Sequence, residues 1–320
     1  MSSELARKIL LNSGYEIPII GLGTWLSNEG DVAKAVSSAV QVGYRHFDCA
    51  YAYMNQFEIG NELNRLFNDG IVKRSDVFIT SKVWNTFHSY DRAIQNVDDI
   101  LKELKTDYLD LCLIHWPHGY EEGRSMFPLT YDEKKMRYSD VDYIETWRAL
   151  EACVVSKKVR SIGVSNFNHK QIERIIGDCS IKPAVLQVEL HPYFQQRKLR
   201  DFCKEHGIVV TAFSPLGNPT MPFRKKDDPI IFDEPIIKKI AETHGKTPAQ
   251  VILRWAIQQD IVVIPKSVTP ARIHENIKLF DFTLEPDEMS LIDSLDRNWR
   301  ILNLYSRDGD HPLYPFNEEY

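Results

Sequence analysis

Eight short apolar runs alternate with amphipathic stretches along almost the whole chain, and this alternation constrains the fold most strongly. Short apolar runs are typical of strands, and a 3.6-residue apolar period is typical of helices. The predicted strands are 19–21, 46–48, 77–81, 109–115, 161–164, 185–189, 209–213 and 261–264. The predicted helices are 31–42, 58–67, 91–104, 143–155, 170–176, 198–206, 247–259 and 269–277. Eight repeats without a linker favour a (β/α)8 TIM barrel over a doubly wound sheet.

Three additions to the barrel are predicted, all within one domain that spans 1–320. Residues 6–18 have the pattern of a β-hairpin, which we expect to close the N-terminal mouth. Segments 116–140 and 217–233 are too long and polar for ordinary connections, so they are predicted to project from the C-terminal face, where substrate pockets form. The aromatic tail 298–320 is expected to fold onto the same face, with disorder as the alternative for its last few residues.

The composition of the chain excludes several classes of binding partner. The chain has 39 Lys plus Arg against 45 Asp plus Glu, a net charge of −6, so it lacks the positive field that nucleic acid requires. Its five cysteines form no metal-type spacing and are expected to be reduced. Because no apolar run approaches the roughly 20 residues of a membrane helix, we expect a soluble, cytoplasmic protein without a membrane partner.

Several kinds of site are disfavoured by their motifs. The ten histidines include no close pair, so a metal site is not expected, although two carboxylates on a divalent metal stay open. Gly163-Val164-Ser165-Asn166-Phe167 lacks the second glycine of a hydrolase nucleophile elbow. The glycines at 21 and 23 do not continue into the dinucleotide-binding pattern.

Polar residues stand where the predicted strands end. They are Asp48, Lys82, His115, Ser165, Asn166, Gln187, Ser214 and Lys266. Taken singly, each has an ordinary structural explanation, such as a cap, a turn or a packed polar group. The carboxyl ends of barrel strands converge on one pocket, so the shared placement predicts a common site.

Four of these positions suggest proton transfer. Lys82 would end a buried strand, where an ammonium needs a partner, and Asp48 supplies one. Tyr53 follows Asp48 by five residues, and a nearby ammonium is expected to lower its pKa from about 10. His115 is expected to donate a hydrogen bond to a carbonyl oxygen. His46 and Cys49 flank Asp48 and are expected to point away from the site.

The last repeat predicts a phosphate site. Residues 264–272 combine a strand end, two hydroxyls, two cations and a helix start. A capped helix with exposed basic residues is the alternative for this segment.

Several motifs occur in the order found in one known family. They are Gly-Leu-Gly-Thr-Trp at 21–25, Asp48 to Tyr53 with Glu-Ile-Gly at 58–60, Ser-Lys-Val-Trp at 81–84, Ile-His-Trp-Pro at 114–117, Gly-Val-Ser-Asn-Phe at 163–167, Ser-Pro-Leu-Gly at 214–217, Pro-Lys-Ser at 265–267 and the ending at 315–320. From about residue 10 to the end, the chain resembles the aldo-keto reductase superfamily, closest to its aldose reductase, aldehyde reductase and hydroxysteroid dehydrogenase branch.

The resemblance implies NADPH-dependent reduction of aldehydes or ketones without a metal. By similarity, Tyr53 is the general acid, Lys82 and Asp48 form the ion pair that lowers its pKa, and His115 orients the carbonyl. Two other classes stay open: a cofactor-binding structural or regulatory protein, and a hydroxysteroid or alcohol dehydrogenase that works in the oxidative direction. The complete set of four residues favours an enzyme. Relatives of this branch are often monomers, so a monomer is expected.

The resemblance also implies a cofactor site. Its members would be Thr24, Ser165, Asn166, Gln187, Phe213, Ser214, Leu216, Gly217, Lys266, Ser267, Val268, Thr269, Arg272, Glu275 and Asn276. Ser165, Asn166 and Gln187 would bind the nicotinamide carboxamide. Phe213 departs from the tyrosine usual in relatives, which keeps an aromatic face for the nicotinamide and loses a hydroxyl. Lys266 and Arg272 would bind the adenosine 2′-phosphate and favour NADPH over NADH.

The substrate pocket is expected to have aromatic and aliphatic walls. The candidates are Trp25, Trp84, Trp116, Phe223, Leu302 and Leu304. Such walls suit alkyl, aryl or polycyclic carbonyl compounds. Sugar, retinoid, steroid, prostaglandin and small reactive aldehydes all stay open as substrates.

Overall fold

A barrel of eight parallel strands forms the centre of the protein. The fold was described from a computed structural model, and the structure describes residues 7–132, 134–219, 221 and 224–318. The strands are β1 (Lys8–Leu10), β2 (Glu16–Pro18), β3 (Leu22–Gly23), β4 (His46–Asp48), β5 (Phe78–Val83), β6 (Leu109–Ile114), β7 (Gly119–Tyr120), β8 (Tyr138–Ser139), β9 (Val159–Ser165), β10 (Val185–Glu189), β11 (Val209–Phe213) and β12 (Val262–Val263). The parallel sheet has the order β12-β11-β10-β9-β6-β5-β4-β3.

The first and last barrel strands close the sheet. Parallel bridges join Ile20 to Val263 and Gly23 to Lys266. The ladder to β4 therefore begins at Leu22, later than the predicted strand 19–21, because Ile19 and Ile20 pair with the last strand instead. A side chain at Gly23 would place its Cβ 2.7 Å from the carbonyl oxygen of Ile264, so the closure requires glycine here. The barrel prediction is confirmed.

Helices follow the barrel strands and cover their outer faces. They are α1 (Asp31–Val42), α2 (Gln56–Asn68), α3 (Tyr90–Leu104), α4 (Tyr143–Val155), α5 (His169–Asp178), α6 (Arg197–Glu205), α7 (Pro235–His244), α8 (Pro248–Ile257), α9 (Pro270–Asn276), α10 (Pro286–Asp293) and α11 (Tyr305–Asp308). The start of α8 is capped as its sequence indicates, because Thr247 and Gln250 form a reciprocal capping box. Helices α7, α10 and α11 were not predicted, although α7 and α10 begin with proline in their first turn.

The N-terminal hairpin closes the floor of the barrel, as predicted. Strands β1 and β2 pair in antiparallel register. Buried Leu11 and Ile17 pack in one apolar cluster with inward residues of the barrel strands, namely Phe78, Leu111, Leu113, Val185 and Val262. The floor is therefore closed by apolar contact, and access is left to the opposite face.

The long segments gather at the C-terminal face. Segment 116–140 carries the antiparallel pair β7 and β8. The tail folds back onto it, with the ring of Phe316 5.7 Å from that of Trp116 and the Tyr120 hydroxyl donating to Asp308 over 2.7 Å. The predicted return of the tail is confirmed. In the part of the chain that the structure describes, no helix has the length and apolar character needed to cross a membrane.

Candidate active site

A buried ion pair lies at the C-terminal mouth of the barrel. Asp48 ends β4, and Lys82 lies on the neighbouring strand β5, so both side chains reach the same point. The Nζ of Lys82 lies 2.9 and 2.8 Å from the two carboxylate oxygens of Asp48 and 2.9 Å from the carbonyl oxygen of Cys49. Both side chains are almost completely buried, and such charges are tolerated only when paired and hydrogen-bonded. Burial by itself lowers the pKa of Lys82, but the pairing with Asp48 outweighs this effect and raises the pKa, which keeps the ammonium charged.

Tyr53 completes a short 3-10 turn that follows β4. Lys82 donates a hydrogen bond of 3.2 Å to its hydroxyl oxygen. Burial nevertheless raises the pKa of Tyr53 to about 12, and the nearby ammonium only partly offsets this effect. The expected net lowering of this pKa is therefore wrong, because removal from water outweighs one adjacent cation. Tyr53 thus retains its proton at neutral pH.

His115 follows β6 and faces Tyr53 and Trp84. Its ring lies 5.8 Å from that of Tyr53 and 5.2 Å from that of Trp84, both edge-on. Burial and, to a smaller extent, the charge of Lys82 lower the pKa of His115 well below its usual value. The imidazole is neutral, so it can offer one N–H to a carbonyl oxygen.

His46 lies inside the barrel and does not point away as expected. Residues two apart on a strand share a face, so His46 and Asp48 both point inward. The Nε2 of His46 is 3.1 Å from the hydroxyl of Thr80, and its Nδ1 is 3.4 Å from the carbonyl oxygen of Pro18. Burial lowers its pKa to about 4. His46 is therefore a neutral polar group inside the barrel, on the N-terminal side of the ion pair.

Asn166 and its neighbours offer the groups that an amide ligand needs. Asn166 has a left-handed φ of 60° and donates through Nδ2 to the carbonyl oxygen of His115 over 3.1 Å. Its Oδ1 is buried and has no hydrogen-bond partner among the described residues. The Ser165 hydroxyl accepts from Asn166 over 3.2 Å and keeps its own proton available. An unpaired acceptor beside a hydroxyl donor fits the carboxamide of a nicotinamide.

Gln187 has a contact that the sequence did not indicate. Its Nε2 donates to Oδ1 of Asp48 over 2.7 Å, which fixes the side-chain amide and leaves Oε1 to accept from a carboxamide N–H. The Thr24 hydroxyl likewise donates to the carbonyl oxygen of Asp48 over 2.8 Å. Two of the expected cofactor residues therefore also hold the ion pair in place.

The other expected cofactor residues follow β11 and β12. Phe213 ends β11 partly buried, and left-handed φ angles of 48° and 70° at Ser214 and Gly217 turn the chain, with Leu216 between them. After β12, the Ser267 hydroxyl accepts from the amide of Thr269 over 3.1 Å, and Val268 is partly buried.

The two cations of this region differ in their contacts. Lys266 donates to the carbonyl oxygen of Leu26 over 3.0 Å, and Arg272 is exposed. Glu275 accepts from the Thr247 hydroxyl over 2.9 Å, and Asn276 is buried. Among the described residues, no group of three or more His, Cys, Asp or Glu side chains could hold a metal ion.

Comparison with known proteins agrees with this geometry. A sequence model described as "Aldo/keto reductase family" matches residues 19–297. The chain belongs to the aldo/keto reductase family. As a member, this aldo/keto reductase is an oxidoreductase that reduces carbonyl groups with a nicotinamide cofactor.

This aldo/keto reductase has close relatives over its full length. It is 45% identical to aldo-keto reductase family 1 member A1 of Cricetulus griseus, over 99% of this chain and 100% of the relative. It is 47% identical to the protein of the same name from Gallus gallus, over 98% of each chain. The structure of the aldose reductase from Schistosoma japonicum superposes with a TM-score of 0.92 at 43% identity, over 98% of this chain and 100% of that one.

Aromatic side chains form the wall beside His115 in this aldo/keto reductase. The indole N–H of Trp84 donates to the carbonyl oxygen of Met126 over 2.7 Å, which ties segment 116–140 to the barrel. Phe127, 37% exposed, lies 5.4 Å ring to ring from Trp84 and was missed from sequence. Its segment was predicted to build the pocket, but nothing local singles out this residue.

The remaining substrate candidates differ in burial. Trp25, Leu302 and Leu304 are partly buried. Trp116 is buried against the tail at 3% exposure, which leaves little of its ring for a substrate. Phe223 lies outside the described residues.

Proposed function

We propose that the protein reduces aldehydes and ketones with NADPH, with Tyr53 as the general acid. The observation that supports this most directly is the Tyr53 hydroxyl, 3.2 Å from the ammonium of Lys82 and edge-on to His115. One proton donor, one cation and one neutral imidazole at a barrel mouth are the groups that carbonyl reduction needs.

Each side chain then has one task. Tyr53 gives its proton to the carbonyl oxygen, Lys82 stabilises the resulting phenolate, and Asp48 balances the lysine charge. His115 holds the carbonyl oxygen with one N–H. The cofactor, when bound, supplies the hydride that adds to the carbonyl carbon. Ser165, Asn166 and Gln187 would hold its carboxamide.

Tyr53 is in the ionisation state that carbonyl reduction uses. Reduction needs the protonated phenol, and oxidation of an alcohol needs the phenolate. Burial raises the pKa of Tyr53 to about 12, so the phenol is protonated at pH 7. The residue is therefore in the form that gives a proton to a carbonyl oxygen.

The cofactor preference and the substrate class are part of the same proposal. Lys266 and Arg272 follow the last strand, where they suit a 2′-phosphate and hence NADPH. Partly exposed Phe127, which packs edge-on against buried Trp84, and partly buried Trp25 would supply apolar surface, which suits aryl and alkyl aldehydes. An aldose is a second candidate substrate, because the superposed Schistosoma protein is an aldose reductase.

We also propose that the enzyme acts as a monomer in the cytosol. The four residues of the proton-transfer site come from one chain. The five cysteines are all free, as is usual in a reducing compartment.

Tyr53→Phe tests the proposal. NADPH consumption is followed with an aromatic aldehyde, an aldose, a diketone and a 3-ketosteroid, and NADPH affinity is measured by fluorescence titration. The variant is expected to bind NADPH as the wild type does and to lose about 10²–10⁴-fold in kcat, because only the acid is removed. Unchanged turnover in the variant would show that another group gives the proton.

A further inference from the structure

The buried carboxylate of Glu189 is not used by the proposed chemistry. Glu189 ends β10, two residues beyond Gln187, and is 0% exposed. It accepts hydrogen bonds from the backbone amides of Ile301 and Leu302 over 2.6 and 2.7 Å, one on each carboxylate oxygen. Distances this short are typical of charge-assisted bonds. Glu189 thereby joins the barrel to the tail.

The charge of Glu189 is compensated on both sides. His191 places its Nε2 3.0 Å from the carboxylate. The guanidinium of Arg300 stacks over the rings of Phe194 and Phe316, 4.4 and 3.5 Å from their centroids, and contributes a favourable charge. Displacing the tail would remove two of the donors of this buried carboxylate, which costs free energy.

Other hydrogen bonds also hold the tail against the rest of the protein. The amides of Arg297 and Trp299 both donate to the carbonyl oxygen of Tyr193, over 3.1 and 3.0 Å. Beyond residue 302, the next buried tail carboxylate is Asp308, which accepts from the Tyr120 hydroxyl. Residues 297–308, here called the strap, are thus fastened at both ends, and Leu302 and Leu304 lie between the fastenings.

We propose that Glu189 is a positioning residue for substrate selection, which fixes Leu302 against the substrate side of the site by holding the backbone of the strap. This proposal rests on the proposed function and on the sequence-based expectation that Leu302 contacts the substrate. Glu189 touches neither the four proton-transfer residues nor, in the proposal, the substrate. Its effect therefore falls on the binding of large carbonyl substrates and leaves the proton transfer unchanged.

Glu189→Gln tests the proposal. A glutamine can accept through one oxygen only, so one strap amide loses its partner. We expect hydrogen exchange at Ile301 and Leu302 to accelerate about tenfold or more, as for one charge-assisted bond. KM for 2-naphthaldehyde should rise by a similar factor, and kcat for propanal should stay within about twofold. The control is Glu318→Gln, which removes an exposed tail carboxylate paired with Lys170 and should change none of these quantities.

A double-mutant cycle separates positioning from general stability. Leu302→Ala should lower kcat/KM for 2-naphthaldehyde in the wild type and much less in Glu189→Gln, because the leucine is already displaced there. Equal losses in both backgrounds would overturn the proposal.

Two wild-type measurements remain decisive if Glu189→Gln does not fold. The amides of Ile301 and Leu302 should exchange more slowly than those of the other strap residues, and rapid exchange would overturn the proposal. Failure of the wild type to reduce any aldehyde would instead refute the proposed function, because amide protection does not depend on turnover.

Discussion

Lys82→Met removes the cation that joins Asp48 to Tyr53. In the structure this ammonium contacts both oxygens of Asp48, the carbonyl oxygen of Cys49 and the Tyr53 hydroxyl, all within 3.2 Å. Without it, buried Asp48 retains the amide of Gln187 as its side-chain donor. Breaking one side of a buried ion pair costs about 3–5 kcal/mol, so we expect a loss of that size in the free energy of unfolding.

Asp48→Asn in the same chain should restore much of the stability and none of the activity. The double variant has no unpaired buried carboxylate, so its free energy of unfolding should recover by about 2–3 kcal/mol over Lys82→Met. Its kcat should stay about 10²–10⁴-fold below the wild type, because Tyr53 still lacks the cation that stabilises its phenolate.

Urea unfolding at pH 7 measures the free energy of unfolding, and NADPH consumption at pH 7 measures kcat. The pKa of Lys82 is raised from 10.5, so the stability from the pair is fully present below that value and is lost only as the pH rises beyond it. A double variant no more stable than Lys82→Met would refute the unpaired-carboxylate argument. Wild-type kcat in Lys82→Met would refute the role of the cation.

Two further predictions concern the preference for NADPH over NADH and the stability of the fold at acid pH. Arg272→Ala should reduce the ratio of kcat/KM for NADPH to that for NADH by about tenfold or more, and an unchanged ratio would remove Arg272 from the phosphate site. His88 is buried, and the pKa of His88 is lowered to about 3 by burial, then by His118 and His311. Below about pH 6.5 the unfolded chain takes up a proton that native His88 does not, so His88 by itself lowers the free energy of unfolding by about 1.4 kcal/mol for each unit that the pH falls. Unfolding at several pH values should show that the free energy of unfolding depends less steeply on pH in His88→Phe than in the wild type. An equal dependence in both proteins would contradict the lowered pKa of His88.

Much of the barrel could be predicted because its signals are local. The bounds of β4, β10, β11, α1 and α4 agree with the sequence pattern, since two-residue and 3.6-residue periods report directly which face of an element is buried. Helices α7 and α10 were missed because the prolines that open them, Pro235 and Pro286, were not weighed as helix starts. The meeting of Asp48, Lys82 and His115 also followed from the sequence, because parallel strands place their carboxyl ends at one mouth.

The tertiary structure alone decided how those groups behave. Tyr53 has a raised pKa because the whole surrounding shell excludes water, and a motif contains no measure of that shell. Glu189 finds its amide partners more than a hundred residues later in the chain, in a tail without a regular period. The sequence by itself determined which residues reach the mouth of the barrel. Burial and non-local hydrogen bonds, which depend on atoms from many segments at once, decided their charges and their partners.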